Sequence, residues 1–588
     1  MALLQATAIG LIALIIAPGL FFYFDITPKV VLLLAGTAAA CCGARLRPGL
    51  TRFSVILLAG AASLLLSAAF SSNPALSLYG TNWRRFGAAV QIALLAFAWV
   101  VALNTAGRPD RARIILRGVA ISSAITALYG IMQYFGWDPI LPAAAYHVGQ
   151  GIWTIVRPPS TLGYVSYFAT WLLFAFFLNM ALARMETSAS WRGLAYGAAA
   201  ATLIAMLLTG TRAAMLGLGA GGAVLLYRTG FGPARGVLRA GAAAVAMAAV
   251  FYFSPAGWQL RNRTRWYTED RWGGGRPALW RDTLRMAAAR LPLGYGPEVF
   301  AGAFPPFESK DLAAAYPDFA HESPHNIFLD VLISQGVPGL VLLVAICWMG
   351  FRNSAPWLAA ALAAGIVDQQ FTVFTVPTAL IFYVTIGLAI ALNSKPAAAR
   401  YSRGLLFAAA PLAIAFLYLG LRYTMADCAL ALAQRDIQAG DLASGISHYA
   451  EYDRWRLPGT STDLWFSRAL LEAGQKASNP VLRVQALARA GAAALRATGT
   501  AEDPFNAWYN LSAFYARGGD AAETERCLRA AIAARPNWYK PHWALAQLLR
   551  LTNRGDQAER EAALAAALDG GKHPEVARTL EEIRTARQ

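Results

Sequence analysis

Long apolar runs separated by short polar segments fill the first 423 residues of the chain. A helix needs about 20 apolar residues to cross a bilayer, and fewer where neighbouring helices protect its ends. The predicted fold class is therefore all-α, with a polytopic transmembrane bundle of about 12–13 spans over residues 1–423. The predicted spans lie near residues 6–24, 30–44, 54–70, 86–104, 114–135, 162–183, 194–210, 213–227, 237–253, 327–349, 355–369, 372–392 and 404–421.

A different pattern occupies residues 424–588, where a helical repeat is visible. Its spacing resembles that of tetratricopeptide units, which are about 34 residues long. Two copies follow one another in register, and an earlier degenerate copy is predicted over about 430–500. The sequence therefore predicts a C-terminal α-solenoid, a fold that often docks proteins, although a cap that only stabilises the membrane domain is an equal alternative. The matching positions are Trp508, Leu511, Tyr515, Leu528, Ala531 and Pro536, then Leu545, Leu549, Ala558 and Ala565.

Basic residues are concentrated in every second loop between the predicted spans. Lys and Arg are retained on the cytoplasmic side of a membrane, so these loops are predicted to lie inside. The alternate segments are then outside, including the large loop 254–326 and everything from residue 424 onward. The inner loops are 45–52, 105–117, 184–192, 228–239, 350–354 and 393–403, with 16 basic and 2 acidic residues in total.

Composition supports a membrane protein and excludes several other classes. The chain is 57% hydrophobic and only 14% charged, whereas soluble proteins carry about 25% charged residues. The net charge of +18 sits among the apolar runs, which indicates membrane topology and not nucleic-acid binding. The five cysteines form no C-x-x-C pair, so neither a disulfide framework nor a cysteine metal site is predicted.

Arginines in the predicted outer segments are the first candidates for chemistry, because the charge rule does not account for them. A guanidinium pairs bidentately with phosphoryl oxygens, so several near one membrane face predict a site for a phosphate-bearing ligand. Snorkelling to lipid headgroups is the alternative for each of them. Arg212 is the hardest to explain that way, since it lies in a tight turn between two predicted spans. The candidates are Arg84, Arg85, Arg157, Arg212, Arg276, Arg281 and Arg285.

The segment His321-Glu322-Ser323-Pro324-His325 has the spacing of the zinc motif H-E-x-x-H. That motif requires a continuous helix, which Pro324 opposes, so no metal site is predicted. Ser323 fits an N-cap and Pro324 the first helical position, which places His325 in the first turn of the following span. There the helix dipole would keep the imidazole neutral and attract an anion. A histidine that merely caps a helix is the alternative.

Five motifs follow one another in order: SLYGTNWRRFG (77–87), RPPSTLG (157–163), LTGTRAAMLGL (208–218), WRDTLR to LPLGYGPEVF (280–300) and SPHNIFLDVLISQGVPGL (323–340). This set resembles the O-antigen ligase and O-antigen polymerase superfamily over about residues 75–350. The resemblance implies transfer of undecaprenyl-pyrophosphate-linked glycans at the periplasmic face of the bacterial inner membrane, without metal or nucleotide sugar. It also implies that His325, Arg212 and Arg281 are catalytic.

The sequence thus predicts a glycosyltransferase that needs no cofactor. His325 would take or orient the proton of the acceptor hydroxyl, while Arg212 and Arg281 would stabilise the departing pyrophosphate. Asp368 is predicted to orient His325, with burial against a neighbouring helix as the alternative. The other predicted substrate-binding residues are Arg84, Arg85, Arg157 and Arg276.

The acceptor stays open at this point. A lipid A-core oligosaccharide would define a ligase, a second lipid-linked repeat a polymerase, and a protein Ser or Thr an O-oligosaccharyltransferase. The tail favours the last, because such repeats usually dock polypeptides. Two other classes of protein are alternatives to a transferase. A flippase would place its ionisable groups at mid-membrane depth, whereas here they lie in the predicted outer segments. A non-catalytic scaffold is the other alternative. The predicted partners are the lipid-linked donor, one of these acceptors, membrane lipids and a protein bound by the tail.

Overall fold

The computed structural model describes residues 1–45, 50–148, 154–230, 242, 246–247, 249–269, 273–352, 354–395, 403–459 and 461–586. Helices make up most of this part of the chain. The strands His147–Val148 and Ile155–Val156 pair in one short antiparallel sheet. The predicted all-α, polytopic class is confirmed at this level.

Apolar helices occupy the predicted spans, except that span 237–253 lies mostly outside the described residues. In the described part, seven helices are long and apolar enough to cross a membrane, namely Thr51–Ala69, Ala88–Thr105, Pro109–Tyr134, Val165–Met185, Ala189–Thr209, Ile327–Arg352 and Ala409–Ala439. Shorter apolar helices are Ala2–Leu14, Thr27–Cys42, Pro356–Asp368 and Val376–Leu392, and Arg212–Thr229 occupies span 213–227. These helices support a multi-pass membrane protein.

Two helix ends differ from the prediction. The first helix ends at Leu14 and not near residue 24, because a turn with Gly19 at φ 79° follows it. The last apolar helix, Arg403–Ala439, continues well beyond residue 423. Hydropathy falls after residue 423, but the helix continues because Ala and Leu have high helix propensity. The predicted boundary at 423–424 therefore falls inside a helix.

Close helix packing determines where Arg212 lies. The helix that begins at Arg212 packs along Pro356–Asp368. A Cβ on either Gly217 or Gly221 would lie 2.8 Å from a carbonyl oxygen of that helix. Only glycine permits this approach, as is common where membrane helices associate. Arg212 is thereby fixed relative to the turn that follows Asp368.

The predicted outer loop 254–326 is folded around a small core of its own. Leu279, Met286 and Phe304 are buried there with Ile333 of the following helix. Leu76, from the short helix Pro74–Tyr79, joins the same core. The helical segments of the loop are Trp258–Glu269, Arg276–Ala288, Phe300–Ala303 and Lys310–Ala315, with 3₁₀ turns at Pro255–Gly257 and Pro305–Phe307; a further 3₁₀ turn, Ala143–Ala145, precedes the sheet.

The tail is a row of helices, each packed against the next along the chain. Leu528, Leu545, Leu549 and Ala558, four of the repeat positions, share one buried core. The assignment of these helices to tetratricopeptide repeats stays a prediction. They are Leu442–Trp455, Asp463–Lys476, Pro480–Thr500, Pro504–Arg517, Ala521–Ala534, Tyr539–Leu551, Gly555–Asp569 and Pro574–Thr585.

The tail and the predicted outer segments meet at one end of the bundle. Arg535 of the tail forms a buried ion pair with Glu308 of the outer loop, with Nε and Oε2 2.9 Å apart. The backbone N–H of Asn82 donates a hydrogen bond to the tail carboxyl of Glu502. The end of the bundle that carries the predicted site is therefore also the end that binds the tail.

Candidate functional site

His325 lies in a non-helical loop immediately before the helix Ile327–Arg352. Asn326 caps that helix, since its Oδ1 accepts a hydrogen bond from the backbone N–H of Phe328 at 3.0 Å. His325 has a left-handed backbone, with φ 49°, and its N–H donates to Ser323 Oγ at 3.2 Å. The prediction that Ser323 caps the helix and that His325 lies in its first turn is therefore wrong. A left-handed residue cannot continue a helix, and Asn is a strong cap.

Hydrogen bonds from two other segments hold the histidine loop. Trp280 of the outer region donates from Nε1 to the carbonyl oxygen of Pro324 at 2.9 Å. Asn326 donates from Nδ2 to Gln370 Oε1, also at 2.9 Å. Gln370 belongs to the turn after the helix Pro356–Asp368. The loop is thus positioned by the outer region on one side and by a membrane helix on the other.

The imidazole of His325 is neutral. Burial, followed by the smaller electrostatic effects of Arg276, His321 and Arg84, lowers its pKa to about 3. Its ring forms no hydrogen bond with any described residue. This direction agrees with the predicted neutral state, but its causes are burial and nearby cations and not a helix end. A base this weak needs some change in its surroundings before it can take a proton efficiently at pH 7.

Arg276 and Arg212 converge on the glycine turn at residues 273–275. Arg276 donates from Nη1 to the carbonyl oxygen of Gly273 at 2.6 Å and from Nη2 to that of Phe371 at 2.8 Å. A Cβ on Gly273 would lie 2.0 Å from Arg276 Nη1 and 3.3 Å from Arg212 Nη2. Two guanidiniums from different parts of the chain therefore share one small space. Such a pair can hold the oxygens of a phosphate or pyrophosphate.

Arg84, whose charge also acts on His325, is buried in an ion pair with Glu298. Its Nε donates to Glu298 Oε1 at 2.7 Å, and Asp330 Oδ2 lies 3.9 Å from its Nη1. Glu298 also accepts from the backbone N–H of Thr81 at 3.1 Å and has a left-handed backbone, with φ 66°. Strained backbone at both Glu298 and His325 is typical of functional sites.

Arg281 does not join this cluster. Its Nε donates to Asp282 Oδ1 at 3.0 Å and its Nη2 to Ser309 Oγ at 2.7 Å. The side chain is 44% exposed. The structure thus gives Arg281 a role in joining two segments of the outer region, and Arg276, on another face of the same helix, approaches His325 in its place.

Asp368 is buried but is directed elsewhere. Its Oδ2 accepts a hydrogen bond from Thr170 Oγ1 at 2.5 Å, and it forms no hydrogen bond with His325. In this structure Asp368 therefore does not contact His325, and the orienting role stays a prediction. The alternative reading, burial against a neighbouring helix, is the one observed.

Arg85 and Arg157 contact other side chains of the protein and not His325. Arg85 Nη2 lies 3.0 Å from Asp427 Oδ1 of the last apolar helix, and its guanidinium lies 4.7 Å from the ring centre of Tyr423. Arg157 donates to the hydroxyl of Tyr164 at 2.6 Å. Both remain candidates for substrate contact, although Arg85 is buried in its ion pair.

Three acidic residues near the site were not singled out by the sequence. Burial raises the pKa of Glu322 and, despite Lys29 nearby, that of Asp25. Asp25 lies against Gly163, where a Cβ would fall 1.9 Å from its Oδ2. Glu298 is the third. The available signal was an acidic residue at the end of an apolar run, as in FFYFD, but nothing in the sequence pairs such residues with distant loops. In the described part of the chain, no three His, Cys, Asp or Glu residues are placed to hold a metal ion.

A family model described as O-antigen ligase matches residues 197–344. The matched segment contains Arg212, Arg276 and His325, three of the converging side chains, but Arg84 lies outside it. A comparison with curated proteins finds no match. The family match supports the predicted resemblance to the O-antigen ligase superfamily. Together with the apolar helices, it supports a glycosyltransferase-like membrane enzyme of lipopolysaccharide biosynthesis. The partners that this family implies are lipid-linked glycans and membrane lipids.

Proposed function

We propose that this protein transfers a glycan from undecaprenyl pyrophosphate to a hydroxyl acceptor at the periplasmic face of the inner membrane. One observation carries the proposal: the half-buried His325, whose pKa is held low by burial and nearby cations, lies among arginines contributed by separate segments, at one end of the apolar bundle. Cations that can hold pyrophosphate, beside a group able to accept a proton, are what such a transfer requires.

Arg276 and Arg212 are the proposed ligands of the donor pyrophosphate. The turn they share is narrow, and each guanidinium offers several N–H donors. During transfer the bond between the anomeric carbon and the pyrophosphate oxygen breaks, and negative charge grows on that oxygen. Arginines already in place stabilise this charge without reorganising. Arg281 supports the site indirectly, by fixing the helix that carries Arg276.

The donor itself would make His325 a better base. The charges of Arg276 and Arg84 help to keep the pKa of His325 low. A bound pyrophosphate would neutralise much of this positive charge, so the pKa of the histidine would rise. His325 would then accept the proton of the acceptor hydroxyl as its oxygen bonds to the anomeric carbon. The released products are the glycosylated acceptor and undecaprenyl pyrophosphate.

The proposed acceptor is a hydroxyl group. A lipid A-core sugar, a second lipid-linked glycan and a protein hydroxyl all supply the required nucleophile. The tetratricopeptide-like tail, proposed to be periplasmic, contacts the outer region next to the site through the Arg535–Glu308 pair. A protein partner or protein acceptor held by the tail would therefore be close to the histidine loop.

Reconstitution of the reaction tests this function. Purified protein would be incubated with undecaprenyl-pyrophosphate glycan and each of the three acceptors, and the conjugate identified by mass spectrometry. His325→Ala should lower turnover by about 10²- to 10⁴-fold. His147, in the short sheet, provides the control, since His147→Ala should leave turnover unchanged. Transport of the lipid without any conjugate would favour a flippase instead.

A further inference from the structure

The loop of residues 80–87, here called the arginine loop, is held from the side of the tail. The backbone N–H of Asn82 donates to Glu502, a half-buried residue in the loop between two tail helices. A second tail loop approaches just before the arginine loop, where a Cβ on Gly459 would lie 2.5 Å from the backbone nitrogen of Leu76. The tail therefore contacts the backbone of this region at more than one point.

On its other side, the same loop is bound to the candidate site. Thr81 donates to Glu298 from its backbone N–H, at 3.1 Å, and also from its hydroxyl. Arg84 donates to the same carboxylate from Nε at 2.7 Å. Asn82, which the tail holds, lies between these two residues in the chain. A shift of Asn82 would thus be transmitted directly to Arg84 and Glu298.

We infer that Glu502 is a positioning residue for the arginine loop, so that the tail fixes Arg84 relative to His325 in the candidate site of the membrane domain. This inference rests on the proposed function. Glu502 touches no substrate in this scheme, and it acts by fixing the backbone that places Arg84. Removal of the contact would let Arg84 move relative to His325, and small misplacements of such groups are costly in rate.

The contact does not depend on a negative charge. The pKa of Glu502 is raised to about 8, mainly by burial and to a smaller extent by Glu298 and Asp503, while the hydrogen bond from Asn82 and the charge of Arg85 oppose the rise. Tyr23 also faces this carboxyl. The group is then mostly protonated at pH 7 and still offers an oxygen to the N–H of Asn82. Glutamine has nearly the same shape and the same acceptor, so it should replace glutamate without loss.

The test compares Glu502→Ala with Glu502→Gln in the full-length protein. Hydrogen–deuterium exchange of the peptide that contains Asn82 reports the contact itself, and kcat/KM for undecaprenyl-pyrophosphate glycan reports its consequence. In Glu502→Ala, exchange at Asn82 should become on the order of tenfold faster, and kcat/KM should fall about tenfold. Glu502→Gln should match the wild type in both measurements at pH 7.

A second tail contact provides the matched control. Asn537 donates from Nδ2 to the carbonyl oxygen of Glu308 at 2.6 Å, so Asn537→Ala loosens the tail away from the arginine loop. It should leave exchange at Asn82 unchanged. Equal effects of Asn537→Ala and Glu502→Ala, or unchanged exchange at Asn82 in Glu502→Ala, would overturn the inference. Wild-type protein that transfers no glycan would instead overturn the proposed function, and the exchange data would still decide the role of Glu502.

Discussion

Arg276 and Arg281 lie five residues apart on one helix, and only Arg276 influences the charge of His325. Removal of a neighbouring positive charge raises the pKa of a histidine. Arg276→Gln should therefore shift the acid limb of the pH profile of kcat/KM upward, by about one pH unit. Arg281→Gln, the matched control, should leave the limb in place. An unshifted limb in Arg276→Gln would show that Arg276 does not control the protonation of His325.

Substitution of Gly273 tests whether donor binding requires the guanidiniums of Arg276 and Arg212 to lie side by side. Its φ is 59°, and a Cβ would fall 2.0 Å from Arg276 Nη1, so Gly273→Ala should displace that side chain. We expect the variant to fold but to lose donor affinity by about tenfold, because one bidentate contact is misplaced. Gly274 has φ 81° with nothing within 4 Å, so Gly274→Ala carries similar strain without the clash. Equal donor affinity in both variants, measured by titration, would exclude the shared site.

The sequence predicts that histidine and arginine form the site, but it does not always predict which arginine does so. A turn between spans and a motif around proline mark Arg212 and His325 in the sequence, and the structure places both side chains near Arg276. The sequence analysis predicts a catalytic role for Arg281 and only a substrate-binding role for Arg276. A separation of five residues turns a helix by about 140°, so the two side chains lie on different faces of it. Which face is turned inward depends on the folded outer region, and no local pattern contains that information.

The close packing of the helix Arg212–Thr229 predicts that one of its glycines cannot be replaced without loss of stability. Gly217→Ala places a Cβ 2.6 Å from Leu173 and 2.8 Å from a carbonyl oxygen of the helix Pro356–Asp368. It should lower the stability of the protein by about 1–3 kcal/mol through overpacking and displace Arg212. Gly219, on the same helix, has nothing within 4 Å, so Gly219→Ala should be neutral or slightly stabilising.

Thermal unfolding in detergent, with donor binding measured in parallel, separates these two glycine variants. Equal melting temperatures would show that the two helices can part without strain. The apolar spacing of this helix was predictable, since span 213–227 matches Arg212–Thr229. Its contact with Pro356–Asp368 was not, because glycines on one face of a helix do not identify the helix they approach.

At the level of the whole molecule, the tail is joined to the membrane domain by buried charges. Arg535 and Glu308 are both almost fully buried, and Arg535 Nη2 also donates to the carbonyl oxygen of Phe319 at 2.8 Å. Loss of one partner of such a pair typically costs about 3–5 kcal/mol. The sequence predicts two domains and the side on which they meet, but contacts over more than 200 residues lie beyond any repeat or motif.

The side of the membrane occupied by the tail decides where the reaction takes place. The tail and the histidine loop lie at one end of the bundle, so a label on the tail also reports the side of the site. In a cysteine-free background, Ala522→Cys, on an exposed tail helix, should react with a membrane-impermeant maleimide in intact spheroplasts. Ser190→Cys, exposed at the start of the helix Ala189–Thr209 beside a predicted inner loop, should react only after lysis. The reverse result would place His325 in the cytoplasm and remove the proposed periplasmic transfer.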